Sequence, residues 1–468
     1  MSRVGHCGGV RLREALEVVT VCLAAAVAGL TVMVPIDPTV GETVRAPGWV
    51  ELVVFDVPRA TMAAAFVVVL GAVFTVMMSV SAGWAVATLV SAGLFVDQVL
   101  WSGEIGSQSV LIYVDSVLAG MLMGAVGTLA WYRRPTASAF LLGAMSGVLL
   151  GDFTPAPAPG EQLSAVQRFV LDSPTLPVAG LLVVLAAACA FTHRRQPATV
   201  RKLVDVVPLR PALVAGLVFP TILLTSEWFA RSGRALPVLV VGVVLIVLAA
   251  FAGALVLPGR DGMLLLLMVA FAAAGSTPIT VPRPDWTILI FLAAVAVGLF
   301  AGYRRGLPLL AAALTGALAV ASLATVLTGA HGALLAVASG TAVAFVGGYC
   351  LGAATPLFPT IPPLCVAVLF VPSAAVALWG RDFERVGYSE AWYRPTEPAR
   401  ALAPGVVALA ITAGCALGIA ALYRIRPTTK EAIRGAWARM QAASTRPRRY
   451  RVLPGDLVPA AEEYRAEK

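Results

Sequence analysis

Charge is scarce in this sequence. Asp, Glu, Lys and Arg make up 13% of the 468 residues, against 59% hydrophobic ones. A soluble chain of this length has too little core to hide that much apolar surface. Lysine is scarce, so arginine carries most of the positive charge. The three histidines, His6, His193 and His331, are scattered along the chain, which argues against a metal site built on them. Cys22, Cys189, Cys350, Cys365 and Cys415 lie inside apolar stretches, where cysteine behaves as a small hydrophobe. Cys7 stands alone near the start, and no pair has metal-ligand spacing or implies a disulfide framework. There is no nucleophile elbow, P-loop, zinc motif or dinucleotide fingerprint, so no cofactor is expected. No small-residue cleavage motif follows the first apolar stretch before Pro35, so no cleavable signal peptide is expected.

What is present is a series of apolar stretches about 20 residues long, the length that crosses the hydrocarbon core as a helix. They run over 15–36, 60–80, 82–101, 110–131, 137–153, 175–192, 212–230, 236–257, 262–280, 286–303, 307–328, 331–354, 358–379 and 403–424. The fold class is therefore an all-α polytopic membrane bundle of about 14 helices. Hydropathy alone also accommodates 12 or 13. The fifth stretch is short and ends at Gly151-Asp152, and the thirteenth is interrupted by Pro359, Pro362, Pro363 and Pro372.

The positions of the charges give an independent test of this count. Lys and Arg favour cytoplasmic loops, and with the N-terminus inside, 24 of the 34 fall in inner segments. Fourteen crossings with both termini cytoplasmic satisfy that bias. The resulting organisation is a cytoplasmic N-terminus (1–14), a six-helix bundle (15–192) and a basic cytoplasmic loop (193–211). Two linking helices (212–257), a second six-helix bundle (262–424) and a basic cytoplasmic tail (425–468) follow. Outer loops 37–59, 154–174 and 380–402 are too short for an independent domain. In the tail, Thr429 to Gln441 places Ile433, Trp437 and Met440 on one helical face, suited to the membrane surface. The basic residues around Arg446 are expected to meet anionic lipid head groups rather than nucleic acid. The tail is also a candidate docking site for a protein partner.

Two inner turns echo each other: Trp131-Tyr132-Arg133-Arg134-Pro135 and Gly302-Tyr303-Arg304-Arg305-Gly306. The stretch Val34-Pro35-Ile36 through Trp49-Val50, and the run from Arg133-Arg134-Pro135 through Gly143, Gly147 and Gly151, are similar to segments of the major facilitator superfamily. A division into six, two and six helices resembles its fourteen-helix drug:proton antiporter branch. That resemblance implies two pseudo-symmetric halves around a substrate path and proton-driven export. The chain departs from the superfamily at Met77 to Gly83, an uncharged inner loop where an Asp and several Arg are usual. It departs again at residues 18–34, which lack the first-helix Asp of that branch. The gating ion pairs are therefore expected to be rearranged or lost.

Ionisable groups at membrane depth are costly and point to function. Asp115 lies about six residues inside the fourth stretch and Asp97 near the outer end of the third, a short turn apart in the same outer half. Asp115 is expected to be the most deeply placed acid, and the two are the candidate proton-coupling residues. Gly120, Gly124 and Gly127 in the fourth stretch, and Gly143, Gly147 and Gly151 in the fifth, repeat at three or four residues. That spacing lines one helix face and lets backbones approach closely. Tight packing or a sliding surface for gating both fit it. Arg133, Arg134, Arg304 and Arg305 mark the inner loops.

The expected function is secondary active export of a small amphipathic or lipid-like substrate across a plasma membrane. The Ala-, Val-, Gly- and Arg-rich composition points to a high-GC, actinobacterial source. Two alternatives stay open: a non-transporting scaffold subunit of a cell-envelope complex, and a polyprenyl-phosphate-dependent glycosyltransferase using Asp37, Glu42, Glu51 or Asp56. Membrane lipids and the substrate are the expected partners, and nucleic acid is not.

Overall fold

The computed structural model describes residues 4–33, 59–101, 108–154, 164–171, 174–194, 209–232, 235–278, 285–328, 332–378 and 402–426. The expected surface helix at 429–441, most of the tail and the acids of the first outer loop lie outside them. One compact unit spans residues 1–423, and a second, residues 424–468, is described only at 424–426.

Among the described residues, all regular structure is helical. Eleven helices are long and apolar enough to cross a membrane. Six of them are α1 (Val4–Met33), α3 (Val80–Trp101), α4 (Gln108–Ala130), α5 (Arg134–Phe153), α7 (Leu176–His193) and α8 (Leu209–Ser232). The other five are α9 (Leu236–Val256), α11 (Thr287–Arg304), α12 (Pro308–Thr328), α13 (Ala333–Ala353) and α16 (Ala403–Ile425). Three shorter apolar elements fall in the remaining apolar stretches. These are the segment Thr61–Met77 of α2 (Arg59–Met77), α10 (Gly262–Gly275) and the pair α14 (Ile361–Ala367) and 3-10 helix Val368–Phe370. Two further short helices, α6 (Ala165–Leu171) and α15 (Ala374–Leu378), complete the set. Large exposed side chains such as Leu89, Leu236 and Leu334 are what a lipid-facing surface requires, since hydrocarbon does not penalise them.

Small residues set the packing. A side chain at Gly143 or Gly147 would collide with the carbonyls of Cys22 and Ala26, and at Gly151 with Met33, so α5 lies directly against α1. Gly120 and Gly124 meet Ala64 and Val68, which holds α4 against α2. In both pairs the numbers rise together, so the helices run parallel. Gly127 shares their helix face but meets other elements. Its neighbours are the Phe140 ring and Pro363, although at 100° per residue it lies within about 60° of both Gly120 and Gly124 on the helix. The same backbone-on-backbone contact recurs between α11 and α13, through Gly298 and Gly302 on one side and Gly348 and Gly352 on the other.

Two elements depart from simple spanning helices. Helix α10 has 14 residues, roughly 21 Å at 1.5 Å per residue, against a hydrocarbon core of roughly 30 Å. It is buried along nearly its whole surface, the usual place for a helix that is apolar all round. All ten residues from Ile361 to Phe370 are buried too. The break in this thirteenth stretch is not where most of its prolines fall. Pro362 and Pro363 occupy the first turn of α14, where a missing N–H leaves no hydrogen bond unmade. The chain unwinds instead at Val371-Pro372-Ser373 before α15 resumes.

Candidate functional site

Asp97 on α3 and Asp115 on α4 come together, their carboxyl groups close enough to share a hydrogen bond. A carboxylate only accepts, so one of the two must carry a proton for that bond to exist. Asp115 is the more enclosed partner, and Asp97 is nearer solvent. Six residues separate α3 from α4 in the sequence.

Two other acids, however, are more buried in the fold than Asp115, namely Asp261 and Glu17. Glu17 on α1 is 6% exposed and sits in a charge network at the arginine-bearing end of the bundle. Its Oε1 lies 2.9 Å from His193 Nε2 and 3.3 Å from Arg13 Nε, and its Oε2 lies 3.7 Å from Arg133 Nη1. Arg133 also reaches Glu14 at 3.4 Å. Arg13 Nη2 lies 2.9 Å from His193 Nδ1. Because arginine can only donate, Nδ1 must accept, which puts the ring proton on Nε2, next to Glu17 Oε1 but not aligned for a hydrogen bond to it. The indole of Trp84 stacks on the imidazole at 6.3 Å between centroids. These contacts join α1, α7 and the turn between α4 and α5. Glu17 falls one residue before the window in which a first-helix acid was sought. The remaining basic candidates do other work. Arg134 is exposed, Arg304 lies 4.5 Å over the Phe300 ring, and the Arg305 carbonyl accepts a bond from Tyr349 Oη at 2.9 Å.

The same end of the bundle is tied across by backbone contacts. Trp131 Nε1 donates to the Pro356 carbonyl at 3.1 Å. The buried carboxylate of Asp261, in the turn before α10, accepts the backbone N–H groups of Leu357 at 3.0 Å and Phe358 at 3.3 Å. Burial pushes the Asp261 carboxyl up to about 7, while those two amide bonds pull it down.

Further along the bundle axis, α10 and the unwound segment meet. Ser276, at the end of α10, and Ser373 share a 2.6 Å hydrogen bond, and Ser226 on α8 donates to the Pro372 carbonyl at 2.9 Å. Ser322 on α12 donates to the Thr277 carbonyl at 2.9 Å. Irregular backbone at membrane depth needs such partners or a cavity to line, and here it has both. A cavity of about 40 Å³ is lined by Asp152 of α5, Met33 of α1, Phe271 and Ser276 of α10, and Val371 and Ser373. Asp152 at a helix end gave no sign of this in the sequence. Only the prolines of the thirteenth stretch pointed to the region. Neither Asp97 nor Asp115 lines the cavity.

The chain is an integral membrane protein by its many long apolar helices. Compared with protein-family models and with characterised proteins, it matches none.

Proposed function

We propose that this protein is a secondary active transporter whose path runs through the cavity between α1 and α5 on one side and α10, α13 and the unwound segment on the other. The observation that carries this reading is the pair of short, largely buried elements, α10 and Ile361–Phe370, meeting at one cavity whose lining includes Asp152, Ser276 and Ser373. Discontinuous helices near mid-depth are how transporters present backbone groups to cargo. A scaffold subunit has no need of such a costly arrangement.

In this reading all fourteen apolar elements cross a bacterial plasma membrane, arranged as six, two and six. Both termini and the arginine-bearing end are cytoplasmic. The bonds from Trp131 to Pro356 and from Asp261 to Leu357 then close the cytoplasmic side, and the cavity belongs to the outward half of the cycle. The cargo is a small amphipathic or lipid-like molecule, exported, and the Asp97–Asp115 pair is the proton-loading element. The pair lies off the cavity, so it acts on the cargo path through α4 and its packing on α2.

The test uses proteoliposomes holding a variant without the six native cysteines. An imposed pH gradient should drive movement of a lipophilic cationic dye or a fluorescent phospholipid. A disulfide between Trp131→Cys and Pro356→Cys should stop it, and reductant should restore it. Absence of any driven movement across both probes, with the cross-link silent, overturns the reading in favour of a scaffold.

A further inference from the structure

The charged cluster around His193 bridges two closely packed helix pairs. Helix α1 lies against α5, and α3 lies against α7, while α1 meets α7 far less extensively. Between the pairs, Arg13 and Glu17 of α1 reach the imidazole at the end of α7. One turn earlier on α7, Cys189 Sγ donates to Thr20 Oγ1 of α1 at 3.4 Å. Arg133 of the α4–α5 turn stands behind Glu17 and is itself paired with Glu14, and α3 contributes the Trp84 ring. His193 is 5% exposed, yet the next residue, Arg194, is exposed, so the ring sits one residue from water.

A neutral imidazole has one lone pair in the ring plane, and the Arg13 guanidinium occupies it at Nδ1. The other nitrogen already carries its proton. A second proton can enter only at Nδ1, and only when Arg13 has left. Charge imposes the same condition. Arg13 and Arg133 balance Glu14 and Glu17 within these contacts, so an imidazolium would add a positive charge against a guanidinium. In an enclosed site that repulsion is screened little. Arg13 is itself partly exposed, so it can swing into water without crossing the protein, and Glu17 stays behind as counter-charge to the protonated ring.

We propose that His193 Nδ1 is a proton-binding site that holds either a proton or the Arg13 guanidinium, never both, and that proton uptake parts the α1–α5 pair from the α3–α7 pair. One N–H bond forms, with the proton drawn from water, and one hydrogen bond between the pairs is given up. A proton-driven exporter would use this site as the inner station for protons loaded at Asp97 and Asp115. That use rests on the transporter reading, and the exclusion between proton and guanidinium does not.

Cys189, buried beside Thr20, reports the parting without any transport. In a full-length variant keeping only that cysteine, purified in detergent, maleimide labelling is followed from pH 8 to pH 5, where histidine ordinarily changes charge. Each rate is divided by that of free cysteine at the same pH, which cancels the titration of the thiol. The normalised rate should rise about tenfold or more on acidification, the size expected for one charged hydrogen bond. His193→Gln accepts from Arg13 but takes no proton, so it should stay slow throughout. Arg13→Gln donates to Nδ1 without opposing charge, so its rise should begin at a higher pH. If His193→Gln does not fold, the shift in Arg13→Gln decides. A flat wild-type profile, a rise that survives His193→Gln, or an unshifted profile in Arg13→Gln overturns the proposal. A pH-gated rate without driven transport in proteoliposomes would count against the transporter reading alone.

Discussion

Glu17 Oε1 and His193 Nε2 lie 2.9 Å apart, with Arg13 on the other imidazole nitrogen at the same distance. The imidazole is therefore fixed in one tautomer by residues that only the folded bundle brings together. Removing the charge of Glu17 leaves Arg13 and Arg133 without their shared counter-charge. Glu17→Gln is expected to destabilise the protein by about 3 kcal/mol, in the range for breaking an enclosed ion pair. Glu14→Gln, whose half-exposed side chain meets only Arg133 within this network, should cost less than about 1 kcal/mol. Thermal unfolding of the two variants in detergent checks the difference, and equal losses would contradict the geometry.

The neighbouring carboxyls of Asp97 and Asp115 give a second expectation. Asp115→Asn keeps the shape and can still donate, yet cannot exchange a proton. It should abolish proton-coupled transport in proteoliposomes while leaving the protein folded and inserted. Asp97→Asn should have the smaller effect, because that side chain is nearer solvent. The double variant should look like Asp115→Asn alone, since two members of one pair do not act additively. Unchanged pH-dependent transport in Asp115→Asn would remove the pair from the mechanism.

Glycine substitutions separate close packing from mere presence of glycine. A methyl group at Gly147 would strike the Ala26 carbonyl, while one at Gly216 on α8 would meet nothing within 4 Å. Gly147→Ala is expected to destabilise by about 2 kcal/mol, since the obstacle is backbone and cannot turn aside. Gly216→Ala should stabilise by about 0.5–1 kcal/mol through lower chain entropy and better helix propensity. Melting temperatures that move in opposite directions are the expected readout.

Asp261 gives a pH dependence with a definite sign. Its carboxyl is raised to about 7 by burial, from 3.8 in an unfolded chain. The folded state therefore keeps a proton that the unfolded state has lost between those values. The resulting stability is present in full below about pH 3.8 and disappears as pH rises through about 7. The wild type should melt at a higher temperature at pH 5 than at pH 8. Asp261→Asn should flatten that difference, because an amide can still accept from Leu357 and does not titrate. A slope unchanged in the variant would assign the effect to another group.

Topology has its own test. Cysteines at Arg45 and Glu390 should react with an impermeant thiol reagent from outside, and those at Ala198 and Thr445 only after permeabilisation. All four positions lie outside the described residues, so the labelling is independent of the helix geometry. Labelling of Ala198→Cys in intact cells would place the longest basic loop on the wrong side.

Helix positions were readable in the sequence because apolar length is a local property. All eleven long helices and the three shorter ones lie on stretches visible by hydropathy. Asp97 and Asp115 could be paired for the same reason, being separated by one short turn. Glu17 was missed because an acid near the start of an apolar stretch looks like an ordinary flank. Its histidine partner comes from the far end of α7, and no spacing rule connects positions 17 and 193. Asp152 was hidden likewise, as its neighbours come from α1, α10 and the Val371–Ser373 segment. The prolines signalled a break but not its place. Pro362 and Pro363 start a helix, and only Pro372 accompanies the unwinding.

The glycine contacts between α1 and α5 bear on what can move. Their backbones mesh carbonyl into groove, so a shift of a fraction of a turn along the axis would drive Ala26 into the helix opposite. Each such pair behaves as a single stiff beam, and the α2–α4 and α11–α13 pairs do too. Sliding within a beam is therefore blocked. Any large rearrangement has to be rotation between beams, with its slack supplied at the few residues around Pro372 where the ladder of helical bonds is already open.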